Sequence, residues 1–129
     1  MLRSTVVALA SLGCALGAVA QTYPQKPVRL VIPFAAGSAT DIVARLLAQG
    51  LSERMKGSFV IDNRAGANGT IAADYVAKAA PDGYTLMVAT TSSHSQALWL
   101  MKGVTYDAIK DFTPISGIGG VPFVILVHP

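Results

Sequence analysis

Cysteine is almost absent from this chain: Cys14 is the only one in 129 residues. It lies in an N-terminal stretch that carries the marks of a removable leader, so the remainder has neither disulfides nor thiol chemistry to draw on. Charge is scarce too, at 13% of residues. The basic side chains are scattered, with no run of Lys or Arg and no aromatics interleaved, which excludes the usual nucleic-acid-binding surface. Histidine is limited to His94 and His128, far apart and without a neighbouring cysteine, so no metal site is expected. Catalytic signatures are missing as well. There is no Gly-x-Ser-x-Gly elbow, no Gly-Lys-Ser/Thr phosphate loop and no His-Glu-x-x-His. Gly117-Ile118-Gly119-Gly120 is a loose match to a dinucleotide fingerprint, but it precedes Pro122 and an expected strand rather than a helix. No cofactor is expected.

What is present is apolar: 52% of residues. Part of that excess is residues 1–20, which read as a secretory signal peptide. Arg3 supplies the positive start, residues 6–19 are almost wholly apolar or small, and Ala18-Val19-Ala20 is an A-x-A site with cleavage before Gln21. The run is short and rich in Ala and Gly for a membrane span. Gly13 before Cys14 suits a lipid-anchoring box, but Leu12 stands one position too late, so an anchor at Cys14 is not expected. The expected location is periplasmic. Removing Arg3 with the leader takes the formal charge from +3 to +2, a field compatible with a small anion and specific for none.

The rest of the chain is organised around residues 28–45. Val28 to Ile32 is a short aliphatic run closed by Pro33, the pattern of a buried strand. A loop of small residues follows, Ala35-Ala36-Gly37-Ser38-Ala39. Thr40 and Asp41 then offer N-cap chemistry for a helix over residues 41–55, with Ile42, Leu46, Leu47 and Leu51 expected inward and Gly57 as its stop. Free backbone N–H groups and the helix dipole make such a loop a seat for an anion, though it is equally an ordinary strand-to-helix connection. The pattern then repeats. A strand over residues 58–61 leads to a polar loop over residues 62–69. A helix over residues 70–80 with Ile71, Tyr75, Val76 and Ala79 on one face leads to the turn Pro81-Asp82-Gly83. In the first helix, Ala48 or Gln49 is expected inward as well. A third strand, residues 84–89, leads to the loop over residues 90–95 and a short helix over residues 96–101. Residues 113–117 and 123–127 read as further strands. The order β-α-β-α-β-α-β-β predicts an α/β fold with a mostly parallel sheet and flanking helices. Its loops gather outside the carboxyl ends of the strands, where ligands bind in open α/β sheets. The chain stops directly after an apolar strand, which reads as the N-terminal part of a longer protein.

Several phrases stand in order behind the leader: Tyr23-Pro24-Gln25-Lys26-Pro27-Val28-Arg29, Val31-Ile32-Pro33-Phe34-Ala35-Ala36-Gly37, Thr40-Asp41, Asp62-Asn63-Arg64-Ala65-Gly66-Ala67, Pro81-Asp82-Gly83-Tyr84-Thr85-Leu86, and Tyr106-Asp107 followed by Asp111-Phe112. Together they resemble the Bug family, the periplasmic substrate-binding receptors of tripartite tricarboxylate transporters. The resemblance implies a periplasmic-binding-protein-like, Venus-flytrap architecture with residues 21–129 as the N-terminal part of its first domain, ending at the start of the crossover to the second. It implies an extracytoplasmic receptor, not an enzyme, that captures a tricarboxylate, dicarboxylate or related metabolite and delivers it to membrane subunits. It assigns the ligand to Phe34, Ala35, Gly37, Ser38, Thr40 and Asp41 of the first loop and to Gly66, Ala67, Asn68 and Gly69 of the second. Thr90, Ser92 and His94 of the third would line the same cleft. The chain departs from the pattern at Ser38, where relatives carry a second glycine, and at Ala97-Leu98 and Met101, where many have Asn-Pro and Tyr.

Bland readings stand beside these. Asp41 caps its helix or reaches a ligand through water. Arg64 pairs with a ligand carboxylate, bridges Asp62 or lies in solvent. Asn68 is a left-handed turn residue or a cleft donor, and Trp99 is expected in the core with Leu98 and Leu100. The competing functions are an exported α/β hydrolase with Ser38 or Ser93 as nucleophile, or a fragment with no function of its own.

Overall fold

The computed structural model describes residues 22–120 together with residues 125, 127 and 128. The expected signal peptide, Cys14 and most of the expected strand over residues 123–127 lie outside the described residues. Strands β1 (Val28–Ile32), β2 (Phe59–Asn63) and β3 (Thr85–Met87) form one sheet in the order β2-β1-β3. Both pairings are parallel, with Val28 opposite Phe59 and Ile32 opposite Asn63 on one side, and Arg29 opposite Thr85 on the other. Parallel neighbours need crossovers, and helices α1 (Ala39–Met55) and α2 (Thr70–Ala77) supply them. After β3 comes one wide turn, Ser92–Gln96, and a single-turn helix α3 (Ala97–Leu100).

Side chains alternate along β1, so Ile32 and Arg29 face opposite sides of the sheet. Ile32 meets Ala44 of α1, with Ile61 and Val88 completing that cluster. On the other face, Arg29 Nη1 donates to Tyr75 Oη of α2 at 2.7 Å. The amino edge of the sheet is strapped by the N-terminal arm, where Tyr23 Oη donates to Gly83 O at 2.6 Å.

The helices bury their small residues, not their large ones. α1 turns Asp41, Ala44 and Ala48 inward, while Ile42 and Leu46, expected inside, are 54% and 66% exposed. α2 likewise buries Ala72 and Ala73 and leaves Ile71 half exposed. Alanine at the contact lets a helix axis sit close to the sheet, so the bulkier neighbours are turned out. Trp99, expected in the core, is 87% exposed, because a one-turn helix has a single inward position and Ala97 takes it.

Boundaries shift for local reasons. α1 starts at Ala39 rather than Asp41, and α2 ends at Ala77 rather than residue 80. The left-handed residue that closes α1 is Lys56, with φ 51°. Gly57 serves a different purpose: a Cβ there would lie 2.2 Å from Pro24 Cγ of the arm. β2 runs on through Asp62 and Asn63, which the polar composition places in the loop: both stay paired with β1, Asp62 meets Arg29 of β1, and Asn63 donates to Asp41 of α1. Residues 113–117 join no sheet among the described residues.

Candidate functional site: three loops at the carboxyl edge

The first loop is drawn tight by one carboxylate. Ser38, not Thr40 or Asp41, is the N-cap of α1: its backbone is extended and its Oγ accepts from Asp41 N at 3.3 Å. Asp41 sits inside the first turn and is 1% exposed. Its Oδ2 accepts from Gly37 N at 2.8 Å and from Arg45 Nε at 2.9 Å, and its Oδ1 accepts from Asn63 Nδ2 at 2.9 Å. The Arg45 guanidinium first, then the Gly37 amide and the Asn63 amide, hold the Asp41 pKa down to about 2. Gly37 takes φ 83°, and its N–H is spent on Asp41 rather than left open. The amides of Ala39 and Thr40, in the first turn of α1, have no acceptor among the described residues.

The second loop is a run of left-handed backbone. Gly66, Ala67, Asn68 and Gly69 all have positive φ, at 129°, 44°, 55° and 91°. Asn68 thus takes the turn conformation that suits its side chain. Arg64 is held by structure: its Nε donates to Asp62 Oδ2 at 3.0 Å and its guanidinium lies 3.5 Å from the Tyr75 ring centre. Gly69 is buried, and a Cβ on it would stand 2.9 Å from Ser93 Cβ and 3.0 Å from Pro33 Cβ. At this glycine the first, second and third loops meet.

The third loop is knit by hydroxyls. Ser93 is fully buried, with Oγ donating to Thr90 O and accepting from Thr90 N, both at 3.1 Å. Thr90 Oγ1 lies 3.0 Å from Ser92 Oγ. Gln96 N–H donates to Thr91 O five residues back, giving the wide turn that π geometry produces. His94 Nδ1 lies 3.0 Å from Ser93 Oγ, and its ring meets the edge of Phe112 at 4.6 Å between centres. Burial lowers the His94 pKa from the ordinary 6.5. Tyr106 Oη donates to Ser93 O. Neither serine offered as a nucleophile is placed as one: Ser38 caps a helix, and Ser93 is sealed from solvent with its hydroxyl bound to Thr90. Among the described residues, no three of His, Cys, Asp and Glu come together to hold a metal.

Residues without a site role in the sequence reading carry much of this geometry, although three of them stand in the phrases that carry the resemblance. Asn63, Arg45, Tyr106 and Phe112 position the loops. The Asp41/Arg45 spacing of four on a helix was a readable signal for one of these contacts.

Residues 43–129 match the family described as the tripartite tricarboxylate transporter family receptor, TctC. The chain belongs to that receptor family. It is 39% identical over 122 residues to protein BugT of Bordetella pertussis, covering 94% of this chain and 37% of BugT. It is 43% identical to MatC of Rhodopseudomonas palustris, solved with bound malate, with a TM-score of 0.68 over 71% of this chain and 31% of MatC. It is 54% identical to Rpa4515 of R. palustris, solved with adipate, with a TM-score of 0.53 over 54% of this chain and 23% of that one. The chain therefore spans about a third of the length of the curated relatives it matches, from 30% to 38%, and 31% and 23% of the two solved ones. The parallel sheet and flanking helices are part of a periplasmic-binding-protein domain. The family is one of substrate-binding receptors, not enzymes. Among the described residues, no helix is long and apolar enough to cross a membrane.

Proposed function

We propose that this TctC-family chain forms one wall of a carboxylate-binding cleft in an extracytoplasmic receptor that serves a tripartite tricarboxylate transporter. The observation that carries this reading is the meeting of the three loops at Gly69, beside a helix start whose Ala39 and Thr40 amides have no acceptor among the described residues. Such amides, at the positive end of a 17-residue helix, favour an anion. Relatives solved with malate and with adipate support a dicarboxylate as the ligand class.

On this reading Phe34, Ala35, Gly37, Ser38, Thr40 and Asp41 shape the first side of the seat, Gly66, Ala67, Asn68 and Gly69 the second, and Thr90, Ser92 and His94 the third. The membrane subunits of the transporter are the partners, residues 1–20 are the export signal, and residues 21–129 belong to the first of two lobes. The test is titration calorimetry of the full-length two-lobed receptor that contains this chain with malate, adipate and the diamide of malate. Saturable heat with the dicarboxylates and none with the diamide is the expected result. Equal heats, or none from either acid, would count against it. N-terminal sequencing of the exported product should begin at Gln21, and a product retaining Met1 would refute export.

A further inference from the structure

Asn63 is the last residue of β2; it lies in the phrase Asp62-Asn63-Arg64-Ala65-Gly66-Ala67, but the resemblance gives it no role of its own. Its side-chain amide carries two hydrogens, and both are committed. One goes to Phe34 O at 3.0 Å and the other to Asp41 Oδ1 at 2.9 Å. The pair fixes which way the amide faces, because turning it over would set its carbonyl oxygen against two acceptors. Phe34 opens the first loop and Asp41 lies in the first turn of α1. One side chain therefore clamps both ends of that loop, and it does so from the strand that runs into the second loop. Through Asp41 the clamp reaches the middle of the loop, since Asp41 Oδ2 holds the Gly37 amide at 2.8 Å.

We infer that Asn63 is a positioning residue for the carboxylate seat. It fixes where the Ala39 and Thr40 amides stand, and it ties the first loop to the second so that a ligand held by one is felt by the other. This inference rests on the carboxylate-binding reading above. Asn63 has no hydrogen to spare for a ligand, so its effect passes through Phe34 and Asp41.

The test uses the full-length two-lobed receptor that contains this chain, with malate as the probe. Asn63→Asp is isosteric and turns both contacts into oxygen facing oxygen. Asn63→Leu keeps similar volume and removes both donors without adding charge, and it stands in if the Asp variant does not fold. Tyr23→Phe, which loses the bond to Gly83 O at the amino edge of the sheet, is the control for a loss of stability remote from the loops. Two quantities are read: malate affinity by calorimetry and hydrogen exchange of the Gly37 amide by NMR.

Both Asn63 variants should weaken malate binding by about tenfold to a hundredfold, the range for losing a hydrogen bond to a charged group. Both should also speed exchange at Gly37, while Tyr23→Phe leaves affinity and Gly37 exchange unchanged. The double variant Asp41→Asn/Asn63→Asp restores an amide–carboxylate pair with donor and acceptor exchanged, and it should recover part of the affinity. A general loss of stability gives no such recovery. Unchanged affinity and unchanged Gly37 exchange in both Asn63 variants would overturn the inference. If the unmodified receptor takes up no malate, the carboxylate reading fails by itself. Gly37 exchange then still decides whether Asn63 sets the loop: faster exchange upholds it and unchanged exchange overturns it.

Discussion

The first and third loops both lie against Gly69, yet they are held by different forces. The first is organised around one buried carboxylate that gathers a guanidinium and two amide donors. Such charge-assisted bonds are short and directional, and they leave the loop little freedom. The third is held by neutral hydroxyls, Ser93 with Thr90 and Thr90 with Ser92, and by a half-buried imidazole set against Phe112. Neutral bonds of this kind contribute less each. The pairing shows how one sheet edge combines a rigid seat with a softer wall, and how differently the two should answer to substitution and pH.

The sharpest way to break the comparison is to strike the point both loops share. Gly69→Ala puts a Cβ into Pro33 and Ser93 on a backbone with φ 91°. Strain and overpacking together should cost about 2–4 kcal/mol in urea unfolding. A loss below about 1 kcal/mol would mean the loops are not jammed together there. Ser93→Ala strikes the third loop alone. It leaves the half-buried Thr90 N–H without its acceptor and should cost about 1–2 kcal/mol. Gly37→Ala strikes the first loop alone, and more gently. A Cβ there meets nothing within 4 Å, so only the φ of 83° is penalised, by about 1–2 kcal/mol. If Gly37→Ala proved costlier than Gly69→Ala, the crowding argument would fail.

How legible these regions were from the sequence follows the same divide. The parallel sheet and its order of elements could be read because β1 is a continuous aliphatic run bounded by Pro33, and because each strand is followed by small residues and then a helix. The left-handed turn at Asn68 could be read because only a few residue types tolerate that backbone. The inward faces of α1 and α2 could not. Periodicity points to the largest apolar residues and offers Ala48 only as an alternative to Gln49, whereas contact with the sheet selected Ala44, Ala48, Ala72 and Ala73. The network around Asp41 was half visible. Its loop-fixing role follows from any acidic residue at a helix start, but the donor from Asn63 comes from 22 positions away in the chain. Sequence spacing carries no signal for such a contact. The third loop was the least legible, since the residues that close it, Tyr106 and Phe112, arrive from a stretch with no regular structure.

The smallest expected effect is a difference in pH dependence, and it sharpens the comparison most directly. Asp41 has its folded pKa lowered from 3.8 to about 2 by Arg45, Gly37 and Asn63. Its contribution to stability is therefore complete above about pH 4 and is lost only as pH falls toward 2. His94 is a base whose folded pKa is lowered from 6.5 by burial. Between that lowered value and 6.5 the unfolded chain binds more protons than the folded one, so stability falls as pH drops below 6.5 and levels off once the folded pKa is passed. The groups against His94 are the Ser93 hydroxyl and the Tyr106 and Phe112 rings, and none carries charge near neutrality to offset this. Melting temperatures recorded from neutral pH into acid should show two separate declines. His94→Phe keeps a ring against Phe112 and should flatten only the one just below 6.5, whereas Asp41→Asn should shrink only the acid one, which Asp74, Asp82 and Asp107, also held below the ordinary carboxylate range, share. A decline below 6.5 that survives His94→Phe unchanged would show that the third loop is not titrated by its own imidazole.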